Sequence, residues 1–206
     1  MSLQNLQYQK KFRDRDGMLN HLKEFELEIK PTVGMWYLSS GDSRFHESYG
    51  KKLSIPERVE LVAEMSKIGV KAIEAHYDVE INRENLHLYK TLEKETGVRI
   101  SGIGPHTFYD KEFEFGTLSN PISKYRDLAT KKLIEIMEFV KEAGADACGL
   151  WPGIDGYTYS YGHMYNQMWE NFEGALADAM DEVPGVMVRI ETKPCEPIPN
   201  NIYRSN

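Results

Sequence analysis

Lys67-Ile-Gly-Val-Lys-Ala-Ile-Glu-Ala-His76 carries a charged helical segment through glycine into an apolar run. The same transition recurs in Lys94–Gly104 (KETGVRISGIG), Lys141–Trp151 (KEAGADACGLW) and Glu182–Glu191 (EVPGVMVRIE). Gly69, Gly97, Gly144 and Gly185 sit where each helix should end. Glycine is favoured there because it has no Cβ to clash in the left-handed conformation of a helix C-terminus. A loop this short returns the chain directly to a sheet.

Working outward, the segments before each glycine have helical period. Val59, Leu61, Val62, Met65 and Ile68 follow Ser54-Ile-Pro-Glu57, which has capping-box spacing. Leu86, Tyr89 and Leu92 form a shorter stripe. Ala129, Leu133, Ile136, Val140 and Ala143 alternate steps of four and three, and Asn120-Pro121 reads as their helix start. Tyr165, Met168, Phe172, Ala175 and Ala179 repeat the pattern, and Met18, Leu22, Phe25 and Ile29 suggest a further helix before the first strand. The runs after each glycine are apolar without clean alternation, as parallel strands covered by helices are. With Thr32–Leu38 as first strand the order is β-α-β-α-β-α-β-α-β. Such a chain forms a doubly wound sheet or a (β/α)₈ barrel, and periodicity alone does not choose. Neither GxGxxG nor GxxxxGK[ST] occurs, so the two common phosphate loops are absent.

Composition narrows the class. The 206 residues are 41% hydrophobic and 28% charged, an ordinary globular balance. A net charge of −7 makes a nucleic-acid backbone a poor partner. No apolar run approaches a membrane span, no signal peptide is visible, and two cysteines make no disulfide framework. A cytoplasmic protein with neither a membrane nor a nucleic-acid partner is expected.

In parallel α/β proteins chemistry belongs at the C-terminal ends of the strands. Those ends carry Trp36 and Tyr37, then His76, Tyr77 and Asp78, then His106 and Phe108, then Trp151, then Glu191 and Lys193. Together they describe a polar pocket with aromatic walls. Two residues apart on a strand, His76 and Asp78 share a face, so Asp78 could orient the imidazole as a general base requires. A strand-end histidine also serves as a hydrogen-bonded structural group. Trp36 and Trp151 suit the apolar faces of a sugar ring, or simple packing. His106 taken alone reads as a packing or hydrogen-bonding group. Glu191 and Lys193 also share a face. They read either as an ion pair or as a ligand for a hard divalent cation beside a donor to a substrate oxygen. The tyrosine-rich Gly153–Gly162 loop and the polar Ser39–Gly50 loop read as surface loops or covers over a substrate.

Ile190-Glu191-Thr-Lys193-Pro194-Cys-Glu196-Pro197 resembles the E-x-K-P-x-E-P motif of the xylose isomerase-like TIM barrels. Trp151-Pro-Gly-Ile-Asp-Gly156 is similar to that family's W-G-G-x-x-G, and His76 to its strand-two histidine. The resemblance spans roughly residues 30 to 206. It implies a (β/α)₈ barrel with about five of the eight strands in this chain, since a whole barrel takes about 250 residues. Residues 1–29 would be a helical extension and 30–206 the partial barrel. It implies a metal-dependent aldose–ketose isomerase, present as an N-terminal part, that uses Mg²⁺, Mn²⁺ or Co²⁺ on a sugar substrate and forms a homo-oligomer when complete. Glu191 would be a metal ligand, Lys193 would contact the substrate oxygen, and His76 would open the sugar ring, with Asp78 as its partner. Trp36, His106, Phe108 and Trp151 would bind substrate. The family's partner aspartate lies three residues after the histidine, where this chain has Val79, and Trp-Pro-Gly replaces Trp-Gly-Gly. Those departures point to a different sugar or sugar derivative. A ketose 3-epimerase on the same barrel and a non-catalytic truncated barrel are the alternatives.

Overall fold

The structure is a computed structural model that describes residues 14–24, 29–40, 50–108, 110–156 and 162–192. The chain divides into two compact units, residues 1–30 and 31–206. The first contains helix α1 (Arg15–Glu24), which has no buried side chain. The second contains β1 (Thr32–Gly34), α2 (Ile55–Ser66), β2 (Ala72–His76), α3 (Leu86–Thr96), β3 (Arg99–Gly104), α4 (Ser123–Ala143), β4 (Cys148–Leu150), α5 (Gly162–Glu182) and β5 (Val188–Ile190).

All four junction glycines have positive φ, at +107°, +75°, +62° and +85° for Gly69, Gly97, Gly144 and Gly185. Ser54 caps α2 through a complete capping box, with the Glu57 carboxylate accepting from the Ser54 backbone at 2.8 Å. The stripe of α4 is buried as its spacing implies, and so is that of α5 from Met168 to Ala179, with Tyr165 partly buried. In α2 only Val59 and Val62 are buried. Leu61 lies two residues, and so about 200° of helix turn, from Val59. Ile68 follows the end of α2 and is exposed.

Two boundaries differ from the sequence reading. The first strand stops at Gly34, and Met35–Leu38 forms a 3-10 turn. That turn lays the Trp36 indole over Gly34, where a Cβ would come within 2.5 Å of the ring. Helix α4 starts at Ser123, after Asn120-Pro121. The buried Asn120 side chain accepts from Ile122 N at 2.9 Å and donates to Gly116 O at 2.7 Å, which makes a turn that ends before the helix.

The strands are all parallel, in the order β1-β2-β3-β4-β5. A doubly wound sheet reverses its order at a switch point. A sequential order is that of a barrel, so the choice that periodicity left open falls on the barrel type, with five parallel strands among the described residues. Ile73, Ile103 and Cys148 face the helices and are fully buried.

The opposite, concave face presents Glu74 and His76, Gly102 and Gly104, Gly149, then Arg189 and Glu191. Barrel interiors are ordinarily filled by layers of branched side chains. Three glycines on the two middle strands leave that space open. Gly104 also permits a close approach, because a Cβ there would sit 2.5 Å from the Gly149 carbonyl oxygen. Backbone cannot step aside as a side chain does, so Gly104→Ala is expected to cost about 1–3 kcal/mol in urea denaturation. Gly149→Ala, which meets nothing within 4 Å, should cost much less. Equal costs would contradict the close-approach account.

Candidate active site at the strand ends

His76 is the last residue of β2, where the chain turns sharply. Asp78 adopts φ +66°, which redirects the backbone, and Glu80 N and Ile81 N donate to His76 O at 3.0 and 3.2 Å. The turn brings Glu80 back onto the histidine. Its Oε2 accepts from His76 N at 2.7 Å and lies 3.0 Å from His76 Nδ1. Glu80 is 3% exposed. Its own carbonyl accepts from the Tyr89 hydroxyl at 2.7 Å and from Asn85 Nδ2 at 3.1 Å.

The orienting carboxylate is therefore Glu80, not Asp78. The strand ends at His76, so the two-residue alternation does not continue to Asp78, which is exposed. Burial pushes the Glu80 carboxyl up, but the His76 ring, its backbone N–H and Arg58 together outweigh this and hold it below the usual carboxylate range. An ionised Glu80 only accepts, so in the neutral imidazole Nδ1 carries the hydrogen and Nε2 keeps the lone pair. Arg58, from α2, supports the carboxylate at 3.8 Å and donates to Leu53 O at 3.1 Å and Met35 O at 3.3 Å. It thereby ties Glu80 to the turn that carries Trp36.

The rings named from the strand ends gather around this histidine. Centroid separations are 4.6 Å for Trp36–His76, 5.3 Å for His76–His106, 5.5 Å for His76–Phe108 and 4.7 Å for Phe108–Trp151. Burial, and then the neighbouring His76, lower the His106 pKa, which favours a neutral ring. The Trp151 indole lies over Gly153 much as Trp36 lies over Gly34, a Cβ at Gly153 falling 2.4 Å from the ring. Trp36, Phe108 and Trp151 wall a cleft of about 210 Å³ whose other lining includes His76, Glu74, Arg189 and Glu191. That is below the roughly 300–1,000 Å³ that drug-sized ligands occupy, so the cleft suits a small molecule.

The loop after β4 is anchored by a residue within the Trp151–Gly156 segment. Asp155 is fully buried and accepts from Thr117 N and Thr117 Oγ1 at 2.9 Å each and from Ser119 Oγ. It pins the loop after Trp151 to the segment that follows Phe108. Burial pushes its carboxyl up, against the pull of those donors.

Glu191 N donates to Leu150 O at 2.9 Å, which sets the residue at the end of β5 and on the cleft. Lys193, Cys195 and the rest of that motif lie outside the described residues, as do Tyr157, Tyr159, Tyr161 and most of the loop after Ser39. Among the described residues no three His, Cys, Asp or Glu side chains converge to hold a metal ion. Glu191 and Glu74 are the carboxylates on the cleft, fewer than the several oxygens that Mg²⁺ or Mn²⁺ needs. The described residues thus do not by themselves fit a divalent metal. No described helix is long and apolar enough to cross a membrane.

Glu80, Arg58, Glu74, Arg189 and Asp155 were not singled out by sequence. The His76-x-x-x-Glu80 spacing was the one signal for the first of them.

The comparisons agree with this architecture. The chain is similar to the xylose isomerase of Thermus thermophilus, 25% identical over 185 residues, covering 82% of this chain and 46% of the relative. It spans less than half the length of that relative. Among solved structures it resembles a D-tagatose 3-epimerase-like protein, with a TM-score of 0.59 and 15% identity over 81% of this chain and 54% of that one. It also resembles D-psicose 3-epimerase of Clostridium cellulolyticum H10 solved with D-tagatose, with a TM-score of 0.55 and 15% identity over 80% and 52%. At such identities the structural likeness speaks to the fold alone. The family model for the xylose isomerase-like TIM barrel matches residues 62–201, more than half of the chain, and with the sequential parallel sheet it makes this chain a member of that family.

Proposed function

We propose that the chain is part of a metal-dependent sugar isomerase that interconverts an aldose and a ketose. The observation that carries this reading is His76, fixed by the buried Glu80 at the edge of a glycine-floored cleft between Trp36, Phe108 and Trp151. Indole and phenyl faces suit the C–H faces of a sugar, and the small cleft suits a monosaccharide.

His76 would act on the cyclic form of the substrate. Its Nε2 takes the proton of the anomeric hydroxyl, the carbonyl forms as the bond from that carbon to the ring oxygen breaks, and the imidazolium returns the proton to the ring oxygen. Glu80 stabilises the imidazolium formed and keeps the ring in register, which is a positioning role. Trp36, packed against the same imidazole at a tilt of 39°, restricts its rotation. Glu191 would be one metal ligand, with the others drawn from outside the described residues, and Lys193 would contact the substrate carbonyl oxygen.

The test is to incubate the protein with pentoses and hexoses in D₂O with Mn²⁺ and follow carbonyl position by NMR. Aldose-to-ketose conversion is expected. Ketose epimers formed without any aldose would replace this reading by the 3-epimerase, and no conversion of any sugar by the non-catalytic barrel. Because the described donor set is short of a full coordination shell, calorimetry on this chain is expected to show no Mn²⁺ binding as tight as micromolar. Micromolar or tighter binding that is lost in Glu191→Gln would place a full ligand set here.

A further inference from the structure

We propose that Glu74 and Arg189 form a distal subsite that binds the uncharged, hydroxyl-bearing end of an open-chain polyol. It lies further toward the N-terminal ends of the strands than the reacting end at His76. The inference rests on the sugar reading above and concerns the part of the substrate that does not react.

Glu74 is two residues before His76 on β2, hence roughly 7 Å further along the strand. Arg189 stands in the same relation to Glu191 on β5. The two strands are three apart in the sheet, roughly 14 Å at ordinary strand spacing. Glu74 Oε1 and Arg189 Nη1 nevertheless come within 3.8 Å, each side chain about half exposed. They meet across the middle strands because the concave positions between them are Gly102, Gly104 and Gly149. Glu74 lies directly over Gly102, its carboxylate 3.4 Å from where a Cβ would stand.

As a staple this pair is weak. At 3.8 Å it exceeds hydrogen-bond length, and half-exposed ion pairs contribute about 0–1 kcal/mol. Its position is more informative, since both side chains line the cleft. An acceptor-only carboxylate beside a donor-only guanidinium matches a hydroxyl group, which can donate to Glu74 and accept from Arg189 at once. A carboxylate-bearing ligand matches poorly. Among the described cleft residues Glu74 and Glu191 set two negative charges against the one positive charge of Arg189. The subsite therefore selects a neutral polyol chain over the corresponding sugar acid.

The experiment is ligand-observed NMR titration of the chain with xylitol and, separately, with xylonate. Neither has a carbonyl to isomerise, so binding is read apart from turnover. The wild type should bind xylitol more tightly than xylonate. Glu74→Gln and Arg189→Gln should each weaken xylitol about tenfold or more, the loss of one hydrogen bond to a charged group, with circular dichroism unchanged. Because the pair contributes little to stability, both variants should fold. Tighter binding of xylonate, equal xylitol binding by wild type and both variants, or no xylitol binding by wild type would each overturn the proposal. Xylitol binding that follows the pair, without conversion of any sugar, would remove the isomerase reading and leave the subsite standing.

Discussion

Replacing His76 by Gln is expected to slow sugar interconversion by about 10²- to 10⁴-fold, the usual contribution of a positioned acid–base group. The amide cannot take the anomeric proton, yet it retains a donor for Glu80 Oε2, so the turn that holds Asp78 at positive φ should survive. Glu80→Gln should also slow the reaction, by a different route. The neutral amide can present N–H to Nδ1, which favours the tautomer with the lone pair on the wrong nitrogen and leaves an imidazolium without its counter-charge. The two variants differ in what rescues them. Feeding an open-chain analogue that needs no ring opening should restore much of the rate to both, because His76 then has no proton to move. Turnover of the cyclic sugar at the wild-type rate in His76→Gln would leave the histidine a structural role only.

Replacing Asp155 by Ala is expected to destabilise the barrel unit by about 3 kcal/mol or more in urea denaturation. The substitution strands three donors inside the protein, and each unsatisfied group costs about 1–3 kcal/mol. Thr117 and Ser119 are both buried, and Thr117 N–H is fixed in direction by the backbone. Gly116, at φ +109°, packs its Cα side against the same groups, a Cβ there falling 2.8 Å from Ser119 Oγ and 2.9 Å from Asp155 Oδ1. Asp155→Asn should cost less, because one oxygen remains for Thr117 N–H and the Thr117 hydroxyl can accept from the amide.

The pH dependence of the two buried carboxyls has opposite sign. The folded pKa of Asp155 is raised, so as pH climbs past the ordinary aspartate value the unfolded chain gives up its proton first and stability falls until the folded value is passed. Asp155→Asn should remove that decline. The folded pKa of Glu80 is lowered, so its contribution is present above the ordinary glutamate value and is lost as pH falls through the folded one. An Asp155→Asn variant as unstable as Asp155→Ala would show that the shape of the site, and not its acceptors, holds the loop.

How much of this was legible in the sequence depends on the length scale of each signal. Helix faces repeat over many residues, so the stripe from Ala129 to Ala143 reads correctly without a structure. The αL glycines are equally local, because Gly69, Gly97, Gly144 and Gly185 each follow from what a side chain would clash with. Sheet order is not local. No pairing of residues within one strand says which strand lies beside it, so the barrel was implied by resemblance and settled only by the sequential ladder. The cleft was half legible. Strand ends converge in any parallel sheet, which brought Trp36, His76, His106, Phe108 and Trp151 together on paper. The carboxylate partner was misassigned to Asp78 because a strand period was carried one step past the end of the strand. Gly102, Gly104 and Gly149 gave no sign that they formed a floor, since glycine in a sequence speaks first of turns. Glu74 and Arg189 were invisible for the same reason, as their meeting depends on what is missing between them.

The spacing of elements along the chain has a consequence for how this protein can change. From α2 onward the helix-to-strand passages are tight, from residues 97–98 between α3 and β3 to 67–71 between α2 and β2. The strand-to-helix passages are longer, at 77–85, 105–122 and 151–161. One rim of the sheet is thus made of glycine turns that admit almost no insertion, while the other holds nearly all the spare chain together with the aromatic walls. Length can be added or removed on the cleft rim without disturbing the turns that return each helix to the sheet. A lineage of such proteins can therefore exchange one ligand for another by rewriting loops on one side while inheriting its folding instructions unchanged on the other.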